Sequence, residues 1–262
     1  MEPKIDRVTA QSASQDEIPL LLHDSSEEVL LGLFENPHIE ENHLCLLLGR
    51  KDLSNTVLET LARHVEWMSS YRVRRGLAFH PHVPLALGLR LVRELYLVDL
   101  VQLTFSPSGA PPVRRLAEEL VLTKLPQLPP AQKIALARRG TPRIIGALLV
   151  DGSPEVVPAL LDSSFLTEGH VLRALSRINL PARVVTGVAE HGRWSHVYSV
   201  RLALLRNSQA PLARVISFLP SISTPDLRVL VESSSVPSNL RPHIRRELAS
   251  RMQHGRSRSN RR

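Results

Sequence analysis

One cysteine, few aromatics and few lysines set the first limits on this 262-residue sequence. The lone Cys45 cannot close an intramolecular disulfide, and it cannot build a thiolate-based zinc or iron–sulfur site. It sits in the run His43-Leu44-Cys45-Leu46-Leu47-Leu48, where it reads as a small buried hydrophobe. Phe, Trp and Tyr make up only 4% of the chain, so the core must be built from Leu, Val, Ala and Ile. Such uniform side chains suit a repeated helix–helix contact better than one irregular centre. No apolar run approaches the roughly 20 residues that a bilayer span needs, and no basic–apolar–small signal opens the chain. A soluble protein of a reducing, cytoplasmic setting, without membrane contact, is expected. The 12 glycines are scattered and form no phosphate-binding loop. Nucleophile motifs, paired catalytic carboxylates and a His-Glu-x-x-His helix are also missing. The expectation is a non-enzyme with no cofactor, no metal and no catalytic residue.

Charge is present but unevenly placed. The net +8 runs from −5 over residues 1–28 and −3 over 29–71 to +8 over 72–143. Residues 144–253 add +4, and Arg256, Arg258, Arg261 and Arg262 give the end of the chain another +4. Of 33 basic residues, 29 are arginines, whose guanidinium can fork onto phosphate or carboxylate.

Self-similarity is the strongest feature. Sliding the chain by 127 residues without a gap lays 33–105 on 160–232, with 20 of 73 positions identical. The matches include His43/His170, His64/His191, Trp67/Trp194, Tyr71/Tyr198, Arg74/Arg201, Pro84/Pro211 and Asp99/Asp226. The offset is close to three times 42, and a period of about 42 lies in the range of HEAT and armadillo repeats. Punctuation within each period is helical. Ser54 is placed to cap a helix carrying Val57, Leu58, Leu61, Ala62 and Val65 on one stripe. Thr167 does the same for Val171, Leu172 and Leu175, and Pro84, Pro181, Pro211 and Pro225 fall at first turns. Helix starts are expected near 27, 40, 54, 70, 84, 97, 112, 129, 142, 154, 167, 181, 197, 211, 224 and 238. Helices this short need neighbours to bury their stripes.

The segment Val73-Arg74-Arg75-Gly76-Leu77-Ala78-Phe79-His80-Pro81-His82-Val83-Pro84 resembles the leucine-rich-repeat-variant motif. Glu35-Asn36-Pro37-His38 carries its Asn-Pro core, and Leu204–Pro211 keeps the Asn and the later Pro. This resemblance, which loosely covers 27–250, implies alternating short helices in a right-handed superhelix. The chain departs from that family in its longer period and in lacking the clustered cysteines some relatives use for an iron–sulfur cluster. The expected fold is therefore an all-α, right-handed α-solenoid of HEAT-like or leucine-rich-repeat-variant-like repeats. A flexible acidic arm (1–26) would precede the solenoid (27–252), whose halves 33–105 and 160–232 are joined by 106–159. A disordered basic tail (253–262) would follow. The Pro-rich breaks at 106–112 and 125–130 are candidate hinges.

Two sets of residues are candidates for function. Equivalent arginines in a superhelix align along one surface, so Arg72, Arg74, Arg75, Arg114, Arg115, Arg138, Arg139 and Arg143 can form a stripe for phosphates or an acidic partner. The repeated Trp67, Trp194, Tyr71, Tyr198, His64 and His191 recur at equivalent positions, which points to packing or capping. A solenoid surface that binds a protein or peptide is the leading expectation. A nucleic-acid binder using the 72–143 arginines and the tail is the alternative, and a HEAT-like DNA-modifying enzyme with a carboxylate beside an indole is a third.

Overall fold

The computed structural model describes residues 6–107 and 109–259, with side chains described as far as Gln253. Among these residues all regular structure is helical: 19 α-helices and four short 3-10 turns. The chain forms two compact units that meet in sequence at Thr123 and Lys124. The related stretches 33–105 and 160–232 fall in different units, and the connecting segment 106–159 is divided between them.

The first unit contains α1 (Arg7–Gln11), α2 (Ile18–Leu21), α3 (Glu27–Leu33), α4 (Glu41–Leu47), α5 (Asn55–Leu61) and α6 (Val65–Ser69). It continues with α7 (Tyr71–Phe79), α8 (Leu85–Leu91), α9 (Leu97–Thr104) and α10 (Pro111–Lys124). The second contains α11 (Pro130–Arg139), α12 (Pro142–Asp151), α13 (Val156–Leu161), α14 (Glu168–Leu175) and α15 (Ala182–Glu190). Then come α16 (Tyr198–Arg206), α17 (Leu212–Phe218), α18 (Thr224–Glu232) and α19 (Arg241–Ser259). The sixteen helix starts expected from the sequence each have a counterpart within three residues.

Packing follows chain order. In the first unit α1 and α2 lie on α3, α3 on α5, α4 on α7, and α7 on α6 and α8. In the second, α11 meets α12 and α13, α12 meets α13 and α14, and the pattern repeats through α13–α15, α14–α16, α15–α17 and α18–α19. Most helices bury one stripe; α6 has no buried residue. Val57, Leu58 and Leu61 are buried on α5, as are Ile144, Ile145, Leu148 and Leu149 on α12 and Val184, Val185, Val188 and Ala189 on α15. Caps start the helices as hydroxyl chemistry predicts: Ser54 Oγ accepts from the Val57 N–H at 3.4 Å, and Thr167 Oγ1 from the His170 N–H at 3.4 Å. Pro225 lies in the first turn of α18, whereas Pro84, Pro181 and Pro211 stand one place earlier, at the N-caps of α8, α15 and α17. Only Gly152 takes a positive φ (62°) among the described residues; it ends α12, where a Cβ would lie 2.8 Å from Pro181 Cγ.

Several expectations need correction. Val65 does not continue the α5 stripe: the helix stops at Leu61, and Val65 opens α6 with 85% of its surface exposed. The segment expected to be a flexible arm (1–26) is folded over its described part. Ala10, Ala13, Ile18, Leu21 and Leu22 are buried, and the buried Asn36 donates from Nδ2 to the carbonyls of Ala10 (2.8 Å) and Ala13 (2.9 Å). The acidic net charge masked these interleaved apolar residues. Gly32 allows the approach, since a Cβ there would stand 2.5 Å from Arg7 O. At the other end the backbone of the expected disordered tail (253–262) is helical to Ser259, within α19. Residues 260–262 lie outside the described residues. Cys45 is only partly buried, and that burial holds its thiol pKa above the ordinary range. No helix among the described residues is long and apolar enough to cross a membrane.

Candidate functional site

The repeated tyrosines join one helix to a later one. The Tyr71 hydroxyl opens α7 and donates to Asp99 Oδ2, while accepting the Tyr96 N–H at 3.0 Å. Tyr198 repeats this 127 residues on: its hydroxyl donates to Asp226 Oδ2 and accepts the Ser223 N–H at 3.0 Å. Tyr96 and Ser223 are the N-caps of α9 and α18, and Asp99 and Asp226 are the third residues of those helices. In a capping box the third side chain reaches back to the N-cap N–H directly. Here a tyrosine from the preceding repeat stands between the two and satisfies both. Burial and the bond to Asp99 raise the Tyr71 pKa, and the bonds from Ser223 and Tyr198 lower that of Asp226.

The histidines serve local caps and contacts with earlier helices. His43 Nδ1 accepts the Glu40 N–H at 3.1 Å, and His170 Nδ1 accepts the Thr167 N–H at 3.2 Å, closing capping boxes on α4 and α14. Burial, with Arg173 nearby, lowers the His170 pKa. His191 Nε2 lies 3.0 Å from Asp162 Oδ1 while its Nδ1 accepts the Arg193 N–H at 3.2 Å. His64 lies against Glu66 (3.7 Å) and edge-on to the Phe34 ring, 6.0 Å between centroids. Trp194 is buried and donates from Nε1 to Leu161 O at 2.9 Å, under the Arg193 guanidinium 4.2 Å above its ring. Trp67 is partly exposed, and its buried Nε1 has no partner. Among the described residues, no group of three or more His, Cys, Asp or Glu is placed to hold a metal ion.

The candidate arginines separate by environment. Arg74 donates from Nη1 to Met68 O at 3.0 Å, and its Nε lies 3.3 Å from Glu94 Oε2 without hydrogen-bond alignment. Its counterpart Arg201 binds Ser195 O at 2.6 Å and Ser221 Oγ at 2.7 Å, the matching positions of the second half. Arg75 is held by Asp99 (2.6 Å) and Gln102 (2.9 Å) and lies 4.8 Å from the Phe79 ring centroid. Arg72 pairs with Asn42 (2.8 Å) and Glu41 (3.4 Å). Arg114 is partly buried, and its Nε has no partner. Arg115 on α10 and Arg138 and Arg139 on α11 are exposed, while Arg143 stands in the first turn of α12. The set is thus divided between the two units, with α7 contributing arginines already engaged by the protein.

Three features were missed by sequence reasoning. The first is a turn device. A side chain accepts the N–H two residues on and reaches back with its other polar atom to the preceding repeat. Asn36 does so, as do His80 (His82 N–H at 3.2 Å; Arg50 O at 2.8 Å) and Asn207 (Gln209 N–H at 2.9 Å; Leu175 O at 3.2 Å). Asn36-Pro37 and His80-Pro81 spell it in the sequence, whereas Asn207 is followed by Ser208. The second is Lys133, buried on α11 and bound by both Asp151 oxygens at 2.9 Å. Burial opposes ionisation of Asp151, but Ser153 and Lys133 outweigh it and lower the pKa. The third is a groove of about 470 Å³ in the first unit, lined by Glu59, Ala62 and Arg63 from the end of α5 and by Ala86, Leu87 and Arg90 of α8. A smaller one of about 300 Å³ in the second unit is lined by Arg138, Ala159, Asp162, Ser163 and Ser164.

Comparison with protein-family models, with curated proteins and with solved structures found no match to this chain.

Proposed function

We propose that this chain is a non-catalytic interaction module, a HEAT-like or leucine-rich-repeat-variant-like α-solenoid that binds a protein or peptide on its surface. The observation that carries the reading is the order of the packing. Within each unit the helices pack on neighbours close in sequence, Tyr71 and Tyr198 bond onto the following α9 and α18, and His43 and His170 close the caps of their own helices. Stacked repeats of this kind present extended surfaces that accept extended partners without catalytic apparatus. A reducing, cytoplasmic setting fits the single cysteine.

A second reading keeps one specific observation. Arg115, Arg138, Arg139, Arg245 and Arg246 are exposed with no ion pair among the described residues, and free guanidinium groups attract phosphate. On that reading each unit offers phosphate contacts of its own, Arg115 in the first and Arg138, Arg139, Arg245 and Arg246 in the second. The DNA-modifying alternative has less behind it, because Trp194 is committed to Leu161.

Selection from a displayed peptide library against the full chain tests the first reading. Parallel anisotropy titrations with a labelled DNA duplex and a labelled RNA strand, across a salt series, test the second. Enrichment of a peptide consensus supports the interaction module. Absence of any consensus, together with nucleic-acid binding that weakens steeply with salt, overturns it.

A further inference from the structure

The groove between α5 and α8 differs from its counterpart in the second half by a few side chains, and those differences leave it open. Under the offset of 127, Leu87 corresponds to Arg214, Arg63 to Glu190 and Arg90 to Ser217. Arg214 turns back across the matching position, donating from Nε to Ala189 O at 2.9 Å and lying 5.2 Å from the Phe218 ring centroid. Ala189 is the counterpart of Ala62, which lines the groove in the first half. With Leu87 in place of the arginine, nothing equivalent crosses it. The lining is then apolar at Ala62, Ala86 and Leu87 and basic at Arg63 and Arg90. Both arginines are exposed and have no ion pair among the described residues, and Glu59 is the one carboxylate in the lining.

We propose that this groove binds an acidic peptide segment. One of the segment's small aliphatic side chains would rest on Ala62, Ala86 and Leu87, and carboxylates on either side would pair with Arg63 and Arg90. The proposal rests on the interaction-module reading and names its partner's chemistry. Charge complementarity selects the occupant, because a guanidinium forks onto a carboxylate in a charge-assisted pair. A nucleic-acid strand fits poorly: it needs rows of cations and rings for base stacking, and no aromatic side chain lines the groove.

The test is fluorescence anisotropy on the full chain with a fluorescein-labelled Glu-Asp-Leu-Glu-Asp peptide. Controls are its Lys-Lys-Leu-Lys-Lys analogue and a labelled oligouridine strand. The acidic peptide should bind and the basic one should not. The double variant Arg63→Ala/Arg90→Ala should lose about tenfold or more in affinity, in line with the loss of two charge-assisted pairs. The decisive variant is Leu87→Arg, which restores the plug seen in the second half. It adds a positive charge, so nonspecific attraction predicts equal or tighter binding; the groove proposal predicts a loss of about tenfold, the cost of roughly 1.4 kcal/mol. Melting curves on each variant confirm that it is folded, and the exposed arginines make the double variant the fallback if Leu87→Arg unfolds.

Binding unchanged in both variants overturns the groove while leaving the interaction module standing. So does oligouridine binding that is lost with the same substitutions, which moves the site to nucleic acid. If the acidic peptide fails to bind while the library yields another consensus, the groove proposal falls alone. If neither yields a binder, the module reading falls with it.

Discussion

The two related stretches, 33–105 and 160–232, are the same where repeats join and different where surface and indole chemistry are at stake. Tyr71 and Tyr198 make the same pair of bonds to the next repeat, and Arg74 and Arg201 reach the same upstream carbonyl position, Met68 in one and Ser195 in the other. By contrast Trp194 is buried with its N–H satisfied, whereas Trp67 is partly exposed with its N–H unpaired. The tyrosine and arginine bonds are therefore alike in the two stretches, while the same tryptophan has different surroundings in each, and Leu87 in the first stands where Arg214 bonds to Ala189 O in the second.

The largest way to break the comparison is at the indoles. Trp194→Ala removes a fully buried side chain and a bond to Leu161, and it should cost about 3–5 kcal/mol in chemical unfolding. Trp67→Ala should cost clearly less, because its ring is partly solvated and its N–H bonds to nothing. The local cause lies just upstream. Val65 and Glu66 enter a helix with Trp67, while Gly192 and Arg193 lead into a 3-10 turn that seats Trp194. Equal losses at the two positions would mean that the two indoles play one role despite their different surroundings.

The tyrosine relays give a smaller and sharper test. Tyr71→Phe leaves the Tyr96 N–H without its partner and the Asp99 carboxylate with Arg75 alone, and the Tyr96 side chain makes no cap hydrogen bond. Ser223 does: its Oγ accepts the Asp226 N–H at 3.2 Å and donates to the Asp226 carboxylate at 2.6 Å. Tyr71→Phe should therefore cost about 1–2 kcal/mol and Tyr198→Phe about half that, the usual scale for losing one partner of a polar contact. Equal effects at the two sites would show that the serine cap contributes nothing. An intermediate effect of Ser223→Ala in the Tyr198→Phe background would show the two caps sharing one load.

Much of this was legible in the sequence, and the boundary between what was and was not is physical. Helix starts follow from caps, prolines and apolar stripes, all local properties, so Ser54, Thr167 and the start at Pro142 declare themselves. The duplication points to packing or capping roles for the recurring His, Trp and Tyr; His43 and His170 close caps, and Tyr71 and Tyr198 bond to the starts of α9 and α18. Net charge misled at the front of the chain, where Ala10, Ile18 and Leu22 supply a buried face inside an acidic segment. The environment of each arginine was not legible for a related reason. Whether a guanidinium is free depends on partners far along the chain, as with Arg75 and Asp99 or Arg72 and Asn42. The groove was invisible because Leu87 and Arg214 look like an ordinary substitution until Arg214 is seen to span to Ala189.

The smallest predicted difference lies at the turn device, where the first half places His80 and the second Asn207. Both accept an N–H two residues on and both reach back to a carbonyl, but only the imidazole titrates. Burial lowers the His80 pKa below the ordinary 6.5, opposed by its bond to Arg50 O; His82 and Lys51 push the same way as burial, and Asp52 the other way. The folded state therefore favours the neutral ring. Between the folded pKa and 6.5 the unfolded chain binds more protons, so this contribution is complete above about pH 6.5 and is lost as pH falls through the folded value. Neighbouring Asp52, held near 2 by its bond to Arg50, stays charged throughout that window and adds no slope of its own. Melting temperature measured from pH 7.5 down to 5.5 should fall less steeply in His80→Asn, which installs the second half's residue and keeps both hydrogen-bonding roles. A slope unchanged by the substitution would assign the acid sensitivity to other histidines and leave the two turns equivalent in every respect but spelling.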